Sequence, residues 1–323
     1  MKSDEKLRLV LDTDAGIDGA IALLYALADP GIRLEGVTTA RGATSASHAA
    51  ERALRIVRLI EPGCDADVAA GAESPLERGF AEPDPAAHGR GGLGDVLLPP
   101  SDRTPAAESA AAYLARKANE APGQIALVLA GPPTNWALAV REDPGIGTKF
   151  KSIFVAGGTV LEPGDATPVA EANFHADPES AAILFRTAEP LTAIGLDVSS
   201  KLTIGRPELE RMEPYVPAAR SRAVRLLARL IDYRARHPLH PGQPVGRVPL
   251  RAAAAVLAAA SPEPFVYREW YAEVAAEGGV TAGMVVADRR SAPDPAAGRR
   301  VRFGVDVVPE RALHRFMTAF MRE

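Results

Sequence analysis

The chain of 323 residues is 47% hydrophobic and 24% charged, with 37 Lys and Arg against 41 Asp and Glu and a formal net charge of −4, which leaves material for a large core but no global basic field for a nucleic-acid backbone. Its single cysteine, Cys64, excludes an internal disulfide framework and a thiolate metal cluster. The charged start MKSDEKLR has no apolar targeting core, and no stretch holds about 18 uninterrupted apolar residues, so a cytoplasmic address is expected, with neither membrane nor nucleic acid as partner.

In chain order, residues 7 to 11 (LRLVL) predict a strand and 18 to 28 a helix; 33 to 39 (RLEGVTT) predict the next strand and 46 to 60 the next helix. A helical pattern at 105 to 120 leads to a strand at 125 to 130 (IALVLA), a helix at 132 to 141, a strand at 150 to 155 (FKSIFV), a helix at 177 to 187 and a strand at 190 to 196 (PLTAIGL). Several of these strands are apolar on successive residues, as burial on both faces requires. The alternation implies an α/β fold with an open, mostly parallel sheet and helices on both faces, in a single domain spanning 1–323. Pro and Gly gather at 73 to 104 and 237 to 249, long enough to read as loops over a site. The arginines at 289–290, at 299–300 and between 218 and 236 read as solvated faces. GRGGLG at 89 to 94 spells a dinucleotide fingerprint, but no strand precedes it, so it is set aside.

The chemistry concentrates where the first strand gives way to the first helix, in LVLDTDAGIDGAIALLYAL. Asp12, Asp14 and Asp18 repel one another there unless something uses them. Asp18 suits a helix cap, whereas Asp12 and Asp14, two apart on an extended segment, point to one side. Carboxylates so placed share a cation or divide into a base and an acceptor for substrate hydroxyls.

DTDAGIDG resembles the signature of the inosine-uridine-preferring nucleoside hydrolase family, DTDPG followed by any residue and two aspartates. The similarity continues in family order through LEGVTTARGATS, HGRGGLGDVLLP, LAGPPTNWALAV, VAGGTV, GDATPVAEANFHADPESA and GLDVSSKL. It implies a Rossmann-like nucleoside hydrolase fold, assembly as a dimer or tetramer, and hydrolysis of the N-glycosidic bond of a nucleoside-like small molecule through an oxocarbenium-like state. It also implies a calcium ion that lowers the pKa of the attacking water and orients it. By the same resemblance Asp14 is the general base and a metal ligand, Asp12 a supporting carboxylate, and Asp18 an acceptor for a ribose hydroxyl. The Thr134 carbonyl ligates the metal, Glu171 and Asn173 hold the sugar, and His88 lies in the loop flanking sugar or base. Thr134 and Asn135 equally suit a helix start.

The departures bear on the metal. Gly19 stands where the family has a bidentate aspartate, and RVPL replaces a His-Asp-Pro-Leu motif, with Arg247 and Val248 at the two polar places. Ala43 and Asp165 replace two asparagines. Calcium takes about six to eight oxygens, so weak or absent calcium is expected unless Asp12, Asp18 or Asp165 moves in; Asp12 and Asp165 otherwise count, with His88, Glu171 and Asn173, among the substrate-side residues. Three readings stay open: cleavage with a weaker or different metal; a retuned, metal-free reaction in which Arg247 offers fixed charge to the substrate or leaving base; or a catalytically silent homologue that binds a nucleoside-like ligand or a protein partner. A strand ending in DTD also resembles the first motif of the haloacid dehalogenase family, with Asp12 as nucleophile and Asp14 as acid/base, but the rest of the chain follows the hydrolase order.

Overall fold

Strand β1 (Leu7–Thr13) sends Leu9 and Leu11 into one hydrophobic core and Val10 into another, so its unbroken apolar run serves two faces at once. A computed structural model of the chain, describing residues 6–61, 63–80, 85–89, 91–239 and 246–322, shows the same division in the neighbouring strand Ile125–Leu129, where Ala126 and Val128 face one core and Ile125, Leu127 and Leu129 the other. Parts of both predicted loops, 81–84, 90 and 240–245, lie outside the described residues.

The parallel part of the sheet is β1, β2 (Ile32–Thr39), β3 (Asp67–Ala70), β4 (Ile125–Leu129), β5 (Ser152–Ala156) and β6 (Leu191–Ile194). Strands β7 (Thr203–Gly205) and β8 (Arg247–Pro249) form a separate antiparallel ribbon. Strand β9 (Phe265–Val274) pairs antiparallel with β10 (Val285–Asp288) and with β11 (Arg299–Val307), and β11 joins β6 in parallel. The nine-stranded order is β10-β9-β11-β6-β5-β4-β1-β2-β3. The chain therefore winds outward from β1 through β2 and β3, then returns to β1's other side with β4, and that reversal is where open α/β sheets place ligands.

Helices α1 (Ile17–Ala28), α2 (Ala46–Ile60), α3 (Pro85–His88), α4 (Ala110–Glu120) and α5 (Thr134–Glu142) belong to the first half. Then come α6 (Ala172–Ala176), α7 (Pro178–Thr187), α8 (Leu196–Ser199), α9 (Arg206–Met212), α10 (Ser221–Arg236), α11 (Arg251–Ala260) and α12 (Pro309–Phe320). Residues of α1, α2, α10, α11 and α12 fill one core, and residues of α4, α5 and α7 the other. Helix α1 is apolar almost all round and buried throughout except at Asp18, as a helix enclosed by α2, α10, α11 and α12 must be. Helix α4 starts later than its periodicity predicts because the Ser109 side chain accepts from the Ala112 amide and sets its first turn.

The arginines at 289–290 and 299–300 are exposed, as are Arg222, Arg225, Arg229 and Arg236 on α10. Arg234 departs from that reading: it is 2% exposed, on the apolar side of the helix. Among the described residues no helix is long and apolar enough to cross a membrane.

Candidate active site

The residues following β1, β4, β5 and β6 line one cleft: Asp14, Ala130, Gly157 and Gly195. Its volume is about 210 Å³, and Asp18, His88, Glu171, Asn173 and Arg251 complete its polar wall.

The floor is the acidic turn. Ala15 adopts a left-handed φ of +46°, uncommon for a residue with a Cβ. The turn is held by the Ala15 amide donating to Thr13 Oγ1 (3.1 Å) and the Gly16 amide donating to Asp14 Oδ1 (3.0 Å). Arg52, from α2, donates to the Ala15 carbonyl at 2.7 Å, to Thr44 Oγ1 at 3.0 Å and to the Gly91 carbonyl at 2.6 Å. Two glycines are required by close approach: a Cβ at Gly42 would stand 2.3 Å from Asp14 Oδ2, and one at Gly19 would stand 2.1 Å from Thr13 Oγ1. Asp18 is not the cap of α1, since Gly16 holds that position; it stands in the first turn, where an acidic side chain complements the helix dipole.

Asp12 and Asp14 part company. Asp12 is fully buried within β1, accepting from Thr38 Oγ1 at 2.5 Å and from Asn135 Nδ2 at 2.7 Å. Burial pushes its carboxyl up to about 7, against those two hydrogen bonds. It therefore lies behind the cleft, whereas Asp14, beyond the strand's end, lines it. Asn135 also donates to the Thr39 carbonyl (3.0 Å) and accepts from the Ala72 amide (2.9 Å), so its helix-start position serves the sheet.

The opposite wall comes from the segment between β5 and α7. Glu171 caps α6: its Oε2 accepts from the amides of Asn173 (2.9 Å), Gly158 (3.1 Å) and Phe174 (3.3 Å). Burial pushes its carboxyl up to about 7, with Asp165 adding to the effect. Asn173 donates through Nδ2 to the Ala156 carbonyl at 2.8 Å. Asp165 accepts from the Ala172 amide at 2.9 Å through Oδ1 and pairs through Oδ2 with Arg251, the first residue of α11. Burial works against the Arg251 charge, but Asp165, Asp18 and Glu171 outweigh it and hold its pKa above the ordinary value. Arg234 Nη2 stands 3.8 Å from Asp18 Oδ2.

The remaining sequence candidates separate. His88 ends α3 and faces the cleft. Thr134, at the start of α5, donates its hydroxyl to Asp177 Oδ2 at 2.6 Å and lines a second hollow with Arg41, Arg78 and His175. Arg247 is not placed in the cleft: on β8 it pairs with Glu208 at 2.8 Å and donates to the Thr203 carbonyl at 2.8 Å, beside a hollow lined by Met317 and Met321. Strand alternation turns the next residue, Val248, fully into the core. Arg52, Arg234 and Arg251 were not foreseen. Arg251 stands alone beside buried apolar positions in the run PLRAAAA that opens α11, whereas Arg52 and Arg234 are hidden among other arginines of α2 and α10.

A profile of the inosine-uridine preferring nucleoside hydrolases matches residues 9–313. The chain is 37% identical over 202 residues to uridine nucleosidase 1 of Arabidopsis thaliana, a match covering 62% of this chain and 60% of that protein. It is 32% identical over 298 residues to the pyrimidine-specific ribonucleoside hydrolase RihA of Shewanella baltica, covering 92% of each. The fold superposes on a purine-preferring ribonucleoside hydrolase from Gardnerella vaginalis with a TM-score of 0.87 at 29% identity, covering 97% of this chain and 98% of that one. On a plant nucleoside hydrolase the TM-score is 0.85 at 26% identity, covering 98% and 99%. With its mostly parallel sheet, its acidic turn after the first strand and its carboxylate-bearing wall opposite, the chain belongs to the inosine-uridine preferring nucleoside hydrolase family.

Proposed function

We propose that the cleft hydrolyses the N-glycosidic bond of a ribonucleoside. The observation that carries this reading is that Asp14, Glu171 and Asn173, from separate parts of the chain, line one sugar-sized hollow. Water attacks the anomeric carbon and gives a proton to Asp14; the carbon–nitrogen bond breaks and its electron pair leaves with the base, which takes up a proton. His88, on the cleft wall, is the side chain suited to carry that proton. Glu171 and Asn173 hold the sugar hydroxyls, and Asp18 accepts from another.

The residues present do not fit a calcium ion. Gly19 and Val248 offer no side-chain oxygen and Asp12 is buried behind the floor on two other partners, so only Asp14, Asp18 and the Thr134 carbonyl are left of the implied set, too few for an oxygen cage. Among the described residues no three acidic, histidine or cysteine side chains are grouped to hold a metal. Hard divalent cations want an oxygen cage, so no step here runs through one.

The relatives named above act on pyrimidine and purine nucleosides, and the deciding experiment is product analysis on a panel of both. Asp14→Asn serves as the control: loss of a general base costs roughly 10²–10⁴-fold in kcat. Absence of free base and ribose from every nucleoside would overturn the proposal.

A further inference from the structure

We propose that Arg251, a cation lining the cleft, is a substrate-contact residue, its guanidinium orienting the vicinal hydroxyls of the sugar in a site that works without a divalent ion. The inference rests on the ribonucleoside reading above and adds to it the group that recognises the diol.

Arg251 lines the same hollow as Asp14, Asp18, Glu171 and Asn173, with its side chain 18% exposed. Among the described residues it donates to Asp165 through Nη1. A guanidinium presents five N–H donors and no acceptor, while an ionised carboxylate only accepts. Set into one cleft, the two kinds of group leave a place that neither an anion nor a cation satisfies. An anion meets Asp14, Asp18 and Glu171; a cation meets Arg251. A hydroxyl satisfies both, donating its proton to a carboxylate and accepting an N–H from the guanidinium, and two adjacent hydroxyls do so along the planar fork.

The arginine is also held in place. Asp165 grips it with one oxygen and the Ala172 amide with the other, at 2.9 Å. The start of α11 is thereby tied to the segment that carries Glu171 and Asn173. Without a positive charge the carboxylates of this cleft repel one another. Arg251 supplies that charge covalently, where RVPL and Gly19 leave no oxygen cage to recruit it from solution.

The test compares wild type, Arg251→Ala and Arg251→Lys, all stripped with EDTA and desalted. Kinetics are measured on uridine, inosine and their 2′-deoxy counterparts, with and without added calcium chloride, and calorimetry uses free ribose. Wild-type activity is expected to change by less than about twofold on stripping or on adding calcium. Arg251→Ala is expected to raise KM for the ribonucleosides by roughly 10- to 100-fold, the scale of a lost hydrogen bond to a charged group. A much smaller change is expected for the 2′-deoxynucleosides, and Arg251→Lys falls between. Arg251→Lys keeps a charge opposite Asp165, so it decides the matter if Arg251→Ala fails to fold. Activity abolished by EDTA and restored by calcium overturns the inference, and so does an equal KM change on both substrate series. If no nucleoside is cleaved, the proposed reaction falls while ribose calorimetry still judges Arg251. Weaker binding in the variants supports its role; equal binding, or none to wild type, overturns it.

Discussion

Gly42 lies so close to Asp14 that a methyl group on it would stand 2.3 Å from the carboxylate oxygen. The loop after β2 thus forms one jaw of the acidic turn, and the room for Asp14 in its present position exists only because that residue has no side chain. Gly42→Ala is expected to displace Asp14 and lower kcat by about 10²-fold, the penalty of a small misplacement of a reacting group. The melting temperature should move by only a few degrees. A kcat within about threefold of wild type would show that Asp14 is not held where it reacts.

The raised carboxyl of Glu171 gives stability a definite slope with pH. Between its ordinary value near 4.5 and its folded value of about 7, the native state keeps a proton that the unfolded chain has released. Stability therefore falls as pH rises through that window, by an amount on the order of 3 kcal/mol at most for this one group. Glu171→Gln preserves an acceptor for the three amides and removes the titration. Urea unfolding at about pH 5 and pH 7.5 should show a smaller difference between the two conditions in the variant than in wild type.

Arg52 is 8% exposed and divides its guanidinium among the Ala15 carbonyl, Thr44 and the Gly91 carbonyl. Arg52→Lys keeps the charge but cannot span those acceptors. A loss of about 2–4 kcal/mol in unfolding free energy is expected, from buried partners left without donors. An unchanged denaturation midpoint would refute this.

Arg247 offers the opposite case. Its side chain answers Glu208 and the Thr203 carbonyl on the β7–β8 ribbon, away from the cleft. Arg247→Ala should leave kcat and KM within about twofold and cost about 1–2 kcal/mol, because Arg211 still pairs with Glu208 at 2.9 Å. A large rise in KM would return Arg247 to the substrate.

The contrast between Arg247 and Arg251 marks where sequence reading reached and where it stopped. Strands such as β1 and β4 are legible because burial on both faces writes apolar residues at successive positions, and the helices between the strands because their caps and periodicity agree. The meander of β9, β10 and β11 is far less so: FVYREWYAEV mixes charged, aromatic and apolar residues without a regular alternation, on a half-exposed strand whose register is set by pairing with β11 and β10 rather than by its own pattern. Motif spacing drew attention to the acidic turn, which follows β1 directly, and to the Glu171 segment, which lies in the long connection between β5 and α7. It drew attention to Arg247 because a motif position is a place in the sequence, while the direction of a side chain depends on strand alternation. Arg251 sits four residues further on, in no motif, and its importance arises from Asp165, 86 residues away in the chain.

Asn135 has a bearing on how such a cleft can accept a guest. From one buried amide it reaches Asp12 on β1, Thr39 at the end of β2 and Ala72 beyond β3, while standing on the helix that follows β4. Four neighbouring strand tips are knotted beneath the acidic turn, so the bed on which a sugar lies resists deformation. Adjustment to a ligand must then fall to the outer side, where His88 ends a four-residue helix with no buried member. Natural variation in which base is admitted should accordingly collect on that rim, leaving the knot beneath untouched.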